Sequence, residues 1–432
     1  MTSRTRRFWP YLAWILLLFG VVGPALLSVP AYADDPPPVD AQTVRDLLAR
    51  VAALEARVHS LEAEKAAALA PKDEAQPSAQ VAAPDTAQAS LPAPAQDQGM
   101  GPQPGSEFPR LRIRGFSDIR YAASNQKGST NSFVLGQFDL FITSKLSDNL
   151  SVLSESVIEA DDETNEFGIE LERLLLNYDY SEYFNVGFGR YHSAIGYYNT
   201  AYHHSTWMQT TVDRPFLFAF EDDGGILPIH NVGITATGRV PSGALGLHYV
   251  AEIGNGRATR TELGQGPVQN VTDENNGKSF NLALYARPDA VPGLQVGFSG
   301  YHDNLTPLNG PNVDERIIAG HAIYQKSSFE FMNEALLIRH QPGNGLPADN
   351  SVGFYSQISH KWGAYRPYFR YEYLNVPDRD LIYPDVHRLN GPLFGLRYDW
   401  SEFSAFKVEY QRTMRRNDPS FNTLTLQTSF AF

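Results

Sequence analysis

From Arg110 onward, apolar and polar residues alternate with a period of two. Leu111, Ile113, Ile119 and Tyr121 stand between Arg112, Arg114, Phe116, Asp118 and Arg120. Phe394, Leu396, Tyr398 and Trp400 alternate with Arg397 and Asp399, and near the C-terminus Leu424, Leu426, Phe430 and Phe432 share one parity while Thr423, Thr425, Gln427 and Ser429 share the other. An extended strand turns such a pattern into one apolar and one polar face. Marking each run predicts sixteen strands, near 111–121, 133–146, 149–159, 167–180, 184–192, 231–240, 244–253, 279–287, 293–302, 315–326, 328–339, 351–361, 365–374, 390–400, 403–414 and 421–432.

The connections sort into two classes. Brief turns such as "SD", "SEY", "PSG" and "SE" follow even-numbered strands, and longer loops such as Asp303–Val313 and Asn375–Leu389 follow odd-numbered ones. A soluble sandwich has no reason to keep its short turns at one end, whereas a membrane barrel does. The expectation is an all-β chain, a 16-stranded antiparallel transmembrane β-barrel over residues 110–432. Its last strand pairs with its first, leaving no open edge.

A different pattern precedes the barrel. Residues 1–33 read as a secretory signal: Arg4, Arg6 and Arg7 are followed by an apolar run from Phe8, and small residues at Ala31 and Ala33 set a cleavage point between Ala33 and Asp34. A retained membrane anchor is the competing reading, against which Pro10, Gly20, Gly23 and Pro24 interrupt the run. Over 34–66, Val44, Leu47, Val51, Leu54, Val58 and Leu61 form a heptad seam, and Arg50–Glu55 and Arg57–Glu62 occupy its flanking pairing positions. A short N-terminal α-helical coiled coil is expected there. Val at a with Leu at d favours a dimer of coils, while Leu48 widens the stripe and admits a third chain. Residues 67–109 are an Ala/Pro/Gln-rich linker that cannot bury enough apolar surface to order itself.

Composition narrows the function classes. Aromatics make up 12% of the chain, with 22 Tyr and 25 Phe, which favours strands. The absence of cysteine removes thiolate metal sites, iron–sulfur clusters and disulfides. A net charge of −13 argues against nucleic-acid binding. No G-x-S-x-G, P-loop or H-E-x-x-H occurs, so neither an enzyme nor a cofactor is expected. His192, His203, His204 and His230 cluster in sequence, but adjacent histidines point to opposite sides of an extended chain.

A signal peptide, sixteen alternating strands and a terminal "SFAF" together resemble a Gram-negative outer-membrane porin. The runs "RIRGF" and "NVGFGRYHSAIGYYN" are similar to the phosphate-selective porin group and to trimeric porins with an N-terminal periplasmic coiled coil. That group's phosphate-binding arginines find no matching motif here, so its selectivity is not implied. The resemblance implies a homotrimer in outer-membrane lipid, exported to the bacterial cell outer membrane, with the coil in the periplasm. It makes Phe430 and Phe432 a signal to the barrel-assembly machinery. It also implies passive diffusion of small hydrophilic solutes or ions, with the third external loop, Ser193–His230, folded inward as a constriction.

Parity then suggests two lumen walls. Arg112, Arg114, Arg120, Arg366, Arg370, Arg397 and Lys407 fall on inward positions of strands that become neighbours on closure. Glu155 and Glu159 face inward from the third strand, and Glu221, Asp222 and Asp223 lie in the long loop. Opposed walls of this kind create a transverse field. A parity change between Leu171 and Leu174 predicts a bulge in the fourth strand, which leaves Glu170 and Glu172 less firmly placed. Two rival functions stand beside the porin: an envelope tether whose coil contacts peptidoglycan, and an outer-membrane barrel hydrolase, for which no catalytic group is legible.

Overall fold

The computed structural model describes residues 109–161, 166–202, 206–221, 224–258, 272–307 and 310–432. The expected signal segment, coiled coil and linker lie outside the described residues, as do His203, His204, Asp222 and Asp223. Among the described residues are sixteen strands: β1 (Arg110–Ser124), β2 (Ser132–Lys145), β3 (Leu150–Asp161), β4 (Glu166–Ser181), β5 (Phe184–His192), β6 (His230–Arg239), β7 (Leu247–Gly254), β8 (Ser279–Ala286), β9 (Leu294–Leu305), β10 (Val313–Lys326), β11 (Phe329–Pro342), β12 (Asp349–His360), β13 (Tyr365–Asn375), β14 (Arg388–Ser401), β15 (Ser404–Arg415) and β16 (Phe421–Ala431). Each pairs with the next, and β16 returns to β1, closing an antiparallel barrel.

Closure runs from Ser124↔Thr423 to Phe116↔Ala431. Beyond that, Gly115 and Phe432 exchange backbone hydrogen bonds of 2.8 and 2.9 Å. The Phe432 ring lies across Gly115, where a β-carbon would sit 2.2 Å from the ring. Glycine is what lets the last ring cross the first strand.

The sequence places every strand within a few residues, but the two connection classes are less sharp than expected. The strands run further toward the loop end, as at Leu305 and Pro342, so the links after β3 and β15 shrink to residues 162–165 and 416–420. Meanwhile the turns at 240–246 and 287–293 are longer than those two links.

The predicted bulge in β4 is present: Glu155 pairs with Arg173 and Ser156 with Leu171, leaving Glu172 as the extra residue. A second bulge, unseen in the sequence, sets Gly136 and Gln137 of β2 against Asp118 of β1. The Asp118 carboxylate accepts hydrogen bonds from the Gln137 N–H at 3.0 Å and from Gln427 Nε2 at 2.8 Å.

The barrel is apolar outside and polar within. Phe133, Ile169 and Ile113 are 80%, 78% and 61% exposed on the outer face. Glu155, Glu252, Glu315, Glu334, Glu409, Gln427 and Ser429 are buried on the inner one. The strands pair with one another in a closed ring, so such a surface is suited to hydrocarbon rather than water.

One part of the inner face departs from this rule. Ile317, Ala319 and Ile323 of β10 and Met332, Leu336 and Ile338 of β11 are buried, and they pack with Ile195, Tyr198, Leu217, Phe218, Ile226 and Leu227 from the β5–β6 connection. That connection covers the inner wall from β9 to β13.

Candidate functional site

The connection leaves β5 with Ser193 still paired to Ile229 (N to O, 2.9 Å). It then forms a single turn, α1 (Tyr198–Ala201), and a 3₁₀ turn at Phe216–Phe218. A chain so irregular leaves many backbone groups without partners of its own, and inside a barrel those groups need partners from the wall. The wall supplies them with charges.

Its carboxylates take the N–H groups. Glu252 of β7 accepts from Ala194 at 3.1 Å, and Glu334 of β11 accepts from Tyr197 at 2.5 Å and Tyr198 at 2.9 Å. Glu372 of β13 accepts from Phe216 at 2.5 Å, and Glu409 of β15 from Val212 at 2.8 Å. Gly196 precedes the Glu334 cradle with φ +75, and a β-carbon there would lie 2.4 Å from the Glu334 Oε2. Only glycine takes both that backbone and that approach without strain.

Its cations take the carbonyls. Register aligns Arg366, Arg397, Lys407, Gln427 and Arg120 in one hydrogen-bonded row across β13, β14, β15, β16 and β1. Arg397 donates to the carbonyls of Trp207 (2.7 Å) and Gln209 (2.9 Å), and Lys407 to those of Thr206 (2.5 Å) and Thr211 (2.9 Å). Arg370 pairs with Glu372 at 2.9 Å and donates to Thr211 Oγ1 and to the carbonyls of Asp213 and Arg214. Partners from β7 round to β15, all on the inner face, put this segment inside the barrel wall.

The placement of the expected basic residues follows. Arg370 and Lys407 are buried at 0% and 1% exposure and reach the segment rather than open space. Arg397 is likewise covered, and Arg366 sits beside Ser359 (3.2 Å) and Glu330 (3.9 Å). Arg112 and Arg114 are exposed at the short-turn end of β1. Arg120 remains 41% exposed and meets Asp213 of the segment, itself 47% exposed, at 3.5 Å.

The acidic residues gather on the other side. Glu155 is buried against Arg173 (2.5 Å), while Glu159 accepts from Gln137 Nε2 at 3.1 Å. Glu221 does not face the arginines. It lies beside His230 (3.2 Å), which also meets Glu172 at 2.5 Å. Burial alone would push the Glu221 carboxyl up, but His230 outweighs it and holds the group below the ordinary carboxylate range. His192 packs edge-on to His230 with ring centroids 5.3 Å apart.

Sequence reading missed a further buried group at the loop end. Arg257 donates to Glu315 (3.0 Å), which also meets His340 (2.8 Å), and His340 reaches Asp380 at 2.8 Å. Asp380 caps the N–H groups of Ile382 and Tyr383, and the Tyr383 hydroxyl donates to the Ile226 carbonyl. The connections after β5, β7 and β13 are thereby tied together. Parity marks Glu315 and His340 as inward, but nothing local announces an arginine from the β7–β8 loop.

Comparison with solved structures settles the architecture. The chain matches the anion-selective porin from Comamonas acidovorans with a TM-score of 0.53 at 13% identity, over 75% of this chain and 100% of that one. The fold is that of an outer-membrane porin. OmpF of Salmonella typhi, solved in complex with daunomycin, matches this porin fold with a TM-score of 0.52 at 12% identity, over 74% of this chain and 97% of that one. The outer membrane channel DcaP of Acinetobacter baumannii gives 0.52 at 13% identity, over 75% and 97%. At such identities the likeness is one of fold. No protein-family model matches the chain, and no curated protein matches it.

Proposed function

We propose that the protein is a passive diffusion channel of the bacterial outer membrane for small hydrophilic solutes or ions, narrowed by its β5–β6 segment. The observation that carries this reading is the double anchoring of that segment: its N–H groups on Glu252, Glu334, Glu372 and Glu409, its carbonyls on Arg397 and Lys407. A segment held at both kinds of backbone group stays put while solutes pass. The charges left exposed beside it, Arg120 and Asp213, then stand in the path and act on ions through low-dielectric surroundings. The sequence supports three finer features: export with cleavage after Ala33, a periplasmic coiled coil over 34–66, and a homotrimer.

Reversal potentials of reconstituted channels in a salt gradient test this. Arg120→Gln is expected to shift permeability toward cations and Asp213→Asn toward anions, each by roughly threefold at low salt. Both shifts shrink at 1 M salt, where the Debye length is about 3 Å. Two variants with wild-type reversal potentials at low salt would remove these residues from the ion path.

A further inference from the structure

On the outside of the barrel, toward the long loops, a hydrogen-bonded row sets two arginines side by side. Arg316 of β10 stands directly across from Arg339 of β11, with His302 of β9 on its other side and Asn350 of β12 beyond Arg339. Their chain neighbours Glu315, Ile317, Ile338 and His340 are buried on the inner face, so these four point outward, and the Arg316 side chain is 62% exposed. The adjacent row toward the short turns is Gly300, Ile318, Leu337 and Val352, without a charge.

Like charges directly opposed across an antiparallel pair repel. Asp314 offsets part of this, lying 2.7 Å from Arg316 and 3.0 Å from His302, so one carboxylate serves two neighbours. Arg339 meets the neutral amide oxygens of Asn350 and Gln341, each at 3.3 Å. The row carries more positive than negative charge and presents guanidinium groups away from the protein.

Its height matters. The outward residue Tyr324 lies eight positions after Arg316 along β10, and the outward Phe331 lies eight positions before Arg339 along the antiparallel β11. Eight residues span about 27 Å along a strand, or about 21 Å across a bilayer at a tilt of about 40°, close to the thickness of a barrel's apolar band. Aromatic rings thus mark one edge of the band, and paired arginines mark the edge nearer the long loops.

We propose that Arg316 and Arg339 bind the phosphorylated headgroup of a lipid in the leaflet at the loop end. Guanidinium forks match phosphate oxygens bidentately, and an anion between them relieves the repulsion that the register imposes. The outer-membrane reading enters only in naming that leaflet the outer one, whose lipid would be a phosphorylated glycolipid.

Wild type and Arg316→Gln/Arg339→Gln protein, extracted from outer membranes in mild detergent, are compared by native mass spectrometry. The wild type is expected to retain a phosphorylated glycolipid and the double variant to lose it, with affinity down by roughly 30-fold. Independently of any variant, wild-type barrel is refolded in phosphatidylcholine vesicles alone, with phosphatidylglycerol added, or with inorganic phosphate added. Heat-modifiable mobility is expected to persist to higher temperature only with the phosphatidylglycerol, whose phosphate carries an uncompensated negative charge, whereas that of phosphatidylcholine is neutralised by its own choline. Equal lipid retention by both proteins, or equal melting in all three mixtures, overturns the proposal. So does a variant that dissociates into single barrels with lipid retention unchanged, which makes the row a contact between copies. A barrel that binds lipid but does not conduct leaves this site standing and removes the channel function.

Discussion

Excising residues 194–228 and joining the ends with an Asn-Gly turn is expected to raise single-channel conductance by at least about twofold. Ser193 and Ile229 already pair at 2.9 Å, so a two-residue turn continues the β5–β6 ladder without distorting it. A sixteen-stranded barrel is wide enough to leave an aqueous channel once nothing crosses it. Glu334, Glu372, Glu409 and Lys407 lose their backbone partners but gain water, so the barrel tolerates the loss. Stability falls nevertheless, because Ile317, Met332, Leu336 and Ile338 are uncovered on the inner face. Planar-bilayer recordings check the conductance, and the urea midpoint of the heat-modifiable band checks the stability.

Arg257→Ala is expected to cost about 3–5 kcal/mol, the range for breaking a buried ion pair from one side. Its guanidinium and the Glu315 carboxylate are 4% and 0% exposed, so removing the arginine leaves a buried anion that water does not reach, with His340 as its remaining charged partner. His340 already divides itself between Glu315 and Asp380. Arg257→Met combined with Glu315→Gln removes both charges and is expected to cost less than the single change. Urea titration of the heat-modifiable band distinguishes the two, and a single-variant cost under about 1 kcal/mol would show that the pair adds little.

The barrel was legible because its two environments sort residues by parity, strand after strand. Even the β4 bulge announced itself, since Leu171 and Leu174 both need the apolar face. The β2 bulge did not, because Gly136 and Gln137 carry no apolar mark to shift. Residues 315–323 and 332–338 held a readable clue that parity alone passes over. There Ile317 and Ile318, or Leu336 and Leu337, are apolar on both faces, as in strands covered from both sides. A barrel strand apolar on its inner face implies something inside to cover it. What no local pattern could reveal was the use of the charged residues. Arg370 and Lys407 look like free lumen cations until the backbone carbonyls of residues 206–214 are placed against them. Glu334 likewise meets Tyr197 and Tyr198, more than a hundred residues away in sequence.

The position of the β5–β6 segment in the ion path is tested most directly at Asp213. The chain contains no cysteine, so Asp213→Cys gives a single reactive thiol on an unreactive background. Reconstituted channels are recorded while a positively charged and then, on fresh channels, a negatively charged methanethiosulfonate reagent is added. Each is expected to lower the conductance within seconds, with reversal potentials moving in opposite directions, toward anions for the positive adduct and toward cations for the negative one. Thiols that mass spectrometry shows to be modified, in channels whose conductance and reversal potential have not changed, would contradict a constriction at this segment.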